Sequence, residues 1–489
     1  MAHDAQVVAR PGRGPAVPVA ARDRERLTRH ARQAAQRARR LRTAVLASIT
    51  VDLPPGADPL AIVAAGREPG EPWTVYEQRD RDGRSICGLG AVVALEASGP
   101  GRFRELAVRW AALAAEAVAD LGGGVEGEGP VALGGFAFTD DGPTTHAWEG
   151  FSAASLHVPR LALAARGGRV RATISALVAP DDDPRAAAER ALARVDRLGA
   201  ATPLPMLDPD PVRRARPASA LPPAHYEEAV ARAVERIRAG RMEKIVLARE
   251  VLVRGSTGWR PPEAAAALGV MREAYDGCCV LAVGRGPRTF LAATPELLVR
   301  REGHRLATLA LAGTTRRSSD PAVESHLAET LLRSTKDREE HAIVVRRILR
   351  RLERVALWST AAPAPQVVQA ASAQHLATPI RAQLAEPRSV IELAGLLHPT
   401  PAVGGFPEDV ALPMIPALEG MDRGWYAGPV GWTDAAGDGE LCVALRSALL
   451  EPEQVRCFAG VGVVADSDPA AELAETEIKL QALLPLLSG

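Results

Sequence analysis

Residues 457–480 read CFAGVGVVADSDPAAELAETEIKL, and the character of the chain changes halfway along. CFAGVGVV is an apolar run of strand length. Ser467 or Asp468 then stands before Pro469, which is an N-cap followed by proline at the first helical position, so a helix begins there. On that helix Glu472 and Glu475 are three residues apart and share a face, with Glu477 close by. Acids in a first turn can simply complement the helix dipole. They can also be aimed at something, and the rest of the chain has to decide which.

The 489 residues suffice for two or three compact units or for one large α/β unit. Lys plus Arg and Asp plus Glu both number 59, so the formal charge is zero and no global attraction to nucleic acid exists. Aromatic residues make up 4%, too few for a base-stacking surface. The cysteines are Cys87, Cys278, Cys279, Cys442 and Cys457, an odd set without a CxxC pair. That pattern predicts a reducing, cytoplasmic setting without disulfides or structural zinc. No apolar run reaches the roughly 18 residues of a membrane span.

Residues 1–44 carry eleven arginines against three acids and read as a flexible or partly helical solvated tail. Residues 45–205 alternate strand-like segments, such as VALGGFAF and RVRATISALV, with helical FRELAVRWAALAAEAVADL. The Pro-rich stretch 206–222 reads as a connector, and 223–489 as the chemically dense region. A helix there should end at Gly240 and lead into the strand KIVLARE, 244–250. The strand period of two sets Lys244, Val246 and Ala248 on one face. That lysine is either an edge residue with its amine in solvent or a buried amine. STKDREEHAIVVRRIL, 334–349, is a second helix with an acidic pair, Asp337 and Glu340. Two such helices could offer four carboxylates to one hard cation, or present two solvated faces.

Nine segments occur together in a fixed order: KIVLARE, FLAATPELLVRR, LAGTTRR, STKDREEH, HLATPI, LLHPTPAVGGFP, RGWYAGPVGW, LCVALRSA and the opening stretch. As a set they resemble the chorismate-utilising enzymes, and the isochorismate synthases most. The likeness runs from about Tyr226 onward, with DPLAIVAAG, YEQRDRDG and VALGGFAF resembling the N-terminal portion of the same synthases. It implies one large α/β unit of antiparallel sheets packed together with helices outside, the N-terminal region adding strands. Within the family, anthranilate-forming enzymes carry glutamine at the place of Lys244, aminodeoxychorismate synthases typically carry lysine at the place of Ala312, and salicylate synthases tend to carry threonine at the place of Ala402. These departures favour isochorismate synthase, with salicylate synthase next, serving menaquinone or siderophore synthesis.

The resemblance also implies roles. Lys244 is the base that activates water for attack at C2 of chorismate, and Glu296 is the acid that releases the C4 hydroxyl. The amine must then be neutral and the carboxyl protonated near pH 7, which burial of both favours. Tyr426 and Arg446 resemble the clamp on the pyruvyl carboxylate, helped by the backbone at Gly313 and Gly460. His375 and Ala402 match active-site positions. Mg2+ would be held by Glu340 and Glu475, with Asp337 and Glu472 reaching it through water, and Lys479 would balance remaining charge. The partner implied is the small molecule chorismate, without nucleic acid or membrane, on a monomer or weak homodimer. Two rivals fail on residues. GVGVVADSD lacks the third glycine of a dinucleotide turn, and a silent homologue would have lost Lys244 or Glu296.

Overall fold

The computed structural model describes residues 16–120, 122, 124–200, 202–208, 215–256, 258–370 and 373–488. Among them the strands form two antiparallel sheets, one of twelve strands and one of ten. The first sheet runs from Val45–Asp52 at one edge to Lys244–Gly255 and the short Gly405–Phe406 at the other. The strands of the N-terminal region join those of the C-terminal region inside each sheet. In the first, Trp73–Gln78 pairs with Cys279–Arg285, Tyr76 opposite Leu281. In the second, Val131–Phe136 pairs with Pro429–Asp434, Leu133 opposite Trp432. Ladders crossing from one region to the other make a single folded unit, as the resemblance implied.

One apolar core fills the space between the sheets and includes Phe136, Phe290, Trp425 and Trp432. A second lies against the first sheet's other face. A buried network ties the regions across the first core. Glu440, fully buried, accepts hydrogen bonds from Tyr76 at 2.6 Å, Gln78 at 2.7 Å and Arg84 at 2.6 Å.

The expected helices form where their caps are. Asp468 accepts from the Ala471 amide at 2.9 Å and opens Pro469–Leu480. Ser334 opens Thr335–Leu352 and accepts from the Asp337 amide at 3.2 Å. The helix Pro223–Arg238 stops before Gly240, whose φ of +73° glycine adopts without strain.

Two expectations need correction. Residues 21–41 of the expected tail are a helix packed against Val45–Asp52 and Pro184–Asp196. Leu27, Ala31, Ala34, Ala35 and Ala38 lie on one face of it and are all buried. This stripe is mostly alanine, so it is faint beside the arginines, yet it closes the second core; residues 1–15 lie outside the described residues. The connector is also partly structured: Ala215–Ser219 is a strand on Val251–Gly255, while 209–214 lie outside the described residues.

Candidate active site

Lys244 begins its strand between Gly405–Phe406 on one side and Val455–Val463 on the other. It is fully buried, so the edge alternative falls. Its Nζ lies 2.9 Å from Glu340 Oε1, an ion-pair distance, but makes no hydrogen bond. The two side chains meet over Gly462. A Cβ there would stand 2.9 Å from Lys244 Cε and 2.1 Å from Glu340 Oε1, so any larger residue would push the two side chains aside. The sequence reading passed over Gly462, although its spacing of two from Gly460 puts both glycines on one strand face.

Glu296 occupies the step between sheets. Arg288–Thr294 belongs to the first and Leu297–Glu302 to the second, leaving only Pro295 and Glu296 between them. The Glu296 amide donates to Thr294 Oγ1 at 3.2 Å, and its carbonyl accepts from the Val443 amide at 3.0 Å. The side chain is 4% exposed. Burial raises its pKa to about 8, against the pull of Lys244 and Lys479. It is therefore mostly protonated near neutrality.

A small cavity of about 70 Å³ opens where the two sheets meet. It is lined by Glu296, Gly313, Glu340, His375, Ala402, Tyr426, Arg446, Gly460, Glu475 and Lys479, ten of the residues singled out from the sequence. Lys244, Asp337 and Glu472 are not in its wall. Lys244 lies beneath Gly462, and Asp337 lies behind Gly313, whose Cβ would come 3.1 Å from Asp337 Cβ. Gly313 has φ +78° and sits at a break in register between Ala312 and Thr314. Glu472 is buried and receives Lys336 Nζ at 2.6 Å. Val246, Val403, Leu445 and Phe458 add apolar wall that sequence reasoning left out.

The arginine side of the cavity is held by a chain of hydrogen bonds. Arg446, at a φ of +47° that non-glycine residues rarely adopt, donates from Nη1 to Ala370 O at 2.5 Å and from Nη2 to His375 Nε2. His375 Nδ1 lies 3.2 Å from Gly313 O. Burial, then Arg446 and Lys479, push its pKa well below the usual histidine range. A neutral ring that accepts at Nε2 and donates at Nδ1 satisfies both neighbours. Tyr426 stacks on Phe458 with ring centroids 5.3 Å apart. Burial raises its pKa, so it remains a donor. Lys479 Nζ donates to Gly460 O at 2.9 Å and pairs with Glu475 at 2.8 Å.

Carboxylates of the two acidic helices act on one another without forming one cluster. Asp337 is raised by burial first and then by Glu340 and Glu475. Glu472 is raised by burial and then by Glu475. Among the described residues no three His, Cys, Asp or Glu side chains are close enough together to hold a metal. Lysines 244, 336 and 479 stand on Glu340, Glu472 and Glu475 instead. The donors suit a hard cation in kind, oxygen ligands only, and their mutual repulsion is what a cation would relieve.

A cavity where two antiparallel sheets meet, with a buried carboxyl, arginine and tyrosine in its wall and a buried amine beneath it, is the site of an enzyme that takes a small molecule. A family model described as chorismate binding enzyme matches residues 32–488, and the chain belongs to that family. It is 37% identical over 452 residues to the salicylate biosynthesis isochorismate synthase of Pseudomonas aeruginosa, covering 91% of this chain and 90% of that one. It is 33% identical over 361 residues to the isochorismate synthase MenF of Bacillus subtilis, covering 74% and 75%. Among solved structures, the menaquinone-specific isochorismate synthase MenF of Escherichia coli superposes with a TM-score of 0.76 at 27% identity, over 93% of this chain and 99% of that one.

Proposed function

We propose that this chain is an isochorismate synthase, an isomerase that converts chorismate to isochorismate. The observation that carries the reading is Glu296, a buried carboxyl in the wall of a cavity beneath which the buried Lys244 amine lies against Glu340, with burial raising the Glu296 pKa to about 8. Lys244 takes a proton from water as the water oxygen bonds to C2. The ring double bonds shift, the C4–O bond breaks, and Glu296 gives its proton to the departing hydroxyl. One water enters and one leaves, so the reaction is an isomerisation. Apolar walls at Val246, Val403, Leu445 and Phe458 keep other water away.

Arg446, oriented by neutral His375, and the Tyr426 hydroxyl hold the pyruvyl carboxylate, the planar fork of arginine matching its two oxygens. Glu340 and Glu475, with Asp337 and Glu472 behind them, would hold Mg2+, whose charge offsets the ring carboxylate. Ala402, at the position where salicylate synthases tend to carry threonine, disfavours the lyase reading. The product would feed menaquinone or an aryl-acid siderophore. All five cysteines are buried and none is in a disulfide, in keeping with a cytoplasmic enzyme.

Incubation of the protein with chorismate and Mg2+, followed by chromatography, tests the proposal. Isochorismate is expected. Salicylate with pyruvate would replace it by the lyase reading, and unconsumed chorismate would reject both.

A further inference from the structure

The strand Lys244–Gly255 has an interrupted outer edge. Gly405–Phe406 pairs with it only at Lys244 and Ile245, and Ala215–Ser219 only from Val251 onward. Between them the Val246 amide finds Gly404 O at 2.8 Å, and the Glu250 carbonyl accepts from the Ala220 amide at 3.0 Å. The Val246 carbonyl and the Ala248 amide have no strand to meet them, and an unpaired buried backbone group is costly.

Two side chains take the place of the missing strand. Arg423 Nη2 donates to Val246 O at 2.9 Å, and Glu419 Oε1 accepts from the Ala248 amide at 2.7 Å. The pair is itself buried and joined by Arg423 Nη2 to Glu419 Oε1 at 2.5 Å and by Nε to Oε2 at 3.0 Å. Arg423 Nη1 also donates to Val403 O at 2.7 Å. The Arg423 carbonyl accepts from the Tyr426 amide at 2.9 Å. Val246, Val403 and Tyr426 all line the cavity. The Arg423 guanidinium therefore ties the lysine strand to the Ala402–Val403 wall, and its backbone carbonyl holds the tyrosine turn.

We infer that Arg423 and Glu419 are positioning residues for this reaction, fixing the strand of Lys244 relative to the wall against which the substrate lies. They touch neither substrate nor reacting atoms. Because Arg446 and His375, which meet the carboxylate, are held from other elements, and the Tyr426 amide meets the Arg423 backbone carbonyl rather than its side chain, loosening the pair moves the base more than it weakens binding. The inference rests on the role proposed for Lys244.

The test uses the full chain bearing Arg423→Lys, which keeps the charge but cannot reach both carbonyls as a fork. Its cooperative melt, kcat and KM for chorismate, and hydrogen exchange at the Ala248 amide are compared with wild type. The expected result is a folded protein with kcat lower on the order of 100-fold, the scale of a misplaced catalytic group. KM should stay within about threefold, and Ala248 should exchange about tenfold faster or more. If Arg423→Lys does not fold, Glu419→Gln, which keeps an oxygen for Ala248, is measured in its place, with a kcat loss of about tenfold expected. A folded variant with wild-type kcat overturns the inference even if its melting temperature falls. Should wild type leave chorismate unchanged, the proposed activity fails, and Ala248 exchange alone decides: faster exchange upholds the clamp, unchanged exchange rejects it.

Discussion

Glu296 shows how burial makes one carboxyl useful and expensive at once. With its pKa raised to about 8 by burial, it holds its proton through neutrality and loses it just above. Turnover should therefore fall as pH rises through about 8, which a kcat profile between pH 6 and 9.5 will display. Lys244→Gln and Glu296→Gln should each reduce kcat on the order of 100-fold or more, the usual scale for a general acid or base. Stability moves the opposite way in Glu296→Gln. Between the ordinary carboxyl pKa of 4.5 and about 8, the folded chain keeps a proton that the unfolded chain has released. Stability thus drops as pH rises across that window. Removing the ionisable group removes the drop, so the variant should melt higher than wild type at pH 8.5 and close to it at pH 5. Equal melting at pH 8.5 would show that Glu296 is not the buried acid described. Residue types and motif order were enough to single out both groups in the sequence. What they could not reveal was the seat of Glu296 in a two-residue step between sheets, because that depends on pairing with Val443, 147 positions further on than Glu296.

At the scale of elements, the two acidic helices were legible because their determinants are local. Caps at Ser334 and Asp468 and i, i+3 spacing set where they start and which carboxylates share a face. The lysines that stand on those carboxylates were less legible. Lys244–Glu340 and Lys336–Glu472 join distant elements, and only Lys479–Glu475 is an i, i+4 pair. Two unit charges about 4 Å apart at an effective dielectric of about 20 interact by roughly 4 kcal/mol, and since the three lysines are already paired with Glu340, Glu472 and Glu475, the proposed Mg2+ would supply the counter-charge for an entering dianion. Chelation of divalent ions should abolish turnover and Mg2+ should restore it, while calorimetry should find each of Mg2+ and chorismate binding more tightly in the presence of the other. Glu340→Gln and Glu475→Gln should each weaken Mg2+ binding and lower activity. Glu477→Gln should do little, because Glu477 faces away and pairs with Arg249. Full turnover in excess chelator would reduce these carboxylates to partners of their lysines.

Over the whole molecule, the ordered motifs conveyed the two-sheet plan, whereas counting charges misjudged the N-terminus. Eleven arginines suggested a solvated tail, flexible or partly helical; the segment is helical, as alanine and arginine favour, but its narrow alanine face is buried rather than solvated. Arg24 reaches Asp196 on the neighbouring helix, and Arg37 donates to Glu116 O at 3.0 Å, so part of the charge serves the packing. Leu27 is the one large side chain of the buried stripe and is 0% exposed. Leu27→Ala should therefore cost about 2–5 kcal/mol, the range for truncating a buried leucine. That is a substantial part of the stability of a folded domain. A solvated tail would lose nothing from the same change. Because the strand this helix covers, Val45–Asp52, is at the edge of the first sheet, at the end away from Lys244, the variant's loss should appear in denaturant midpoint while kcat at low temperature stays near wild type. An unchanged midpoint would return residues 21–41 to the surface, and a selective fall in kcat without loss of stability would mean that this helix acts on the cavity from across the sheet.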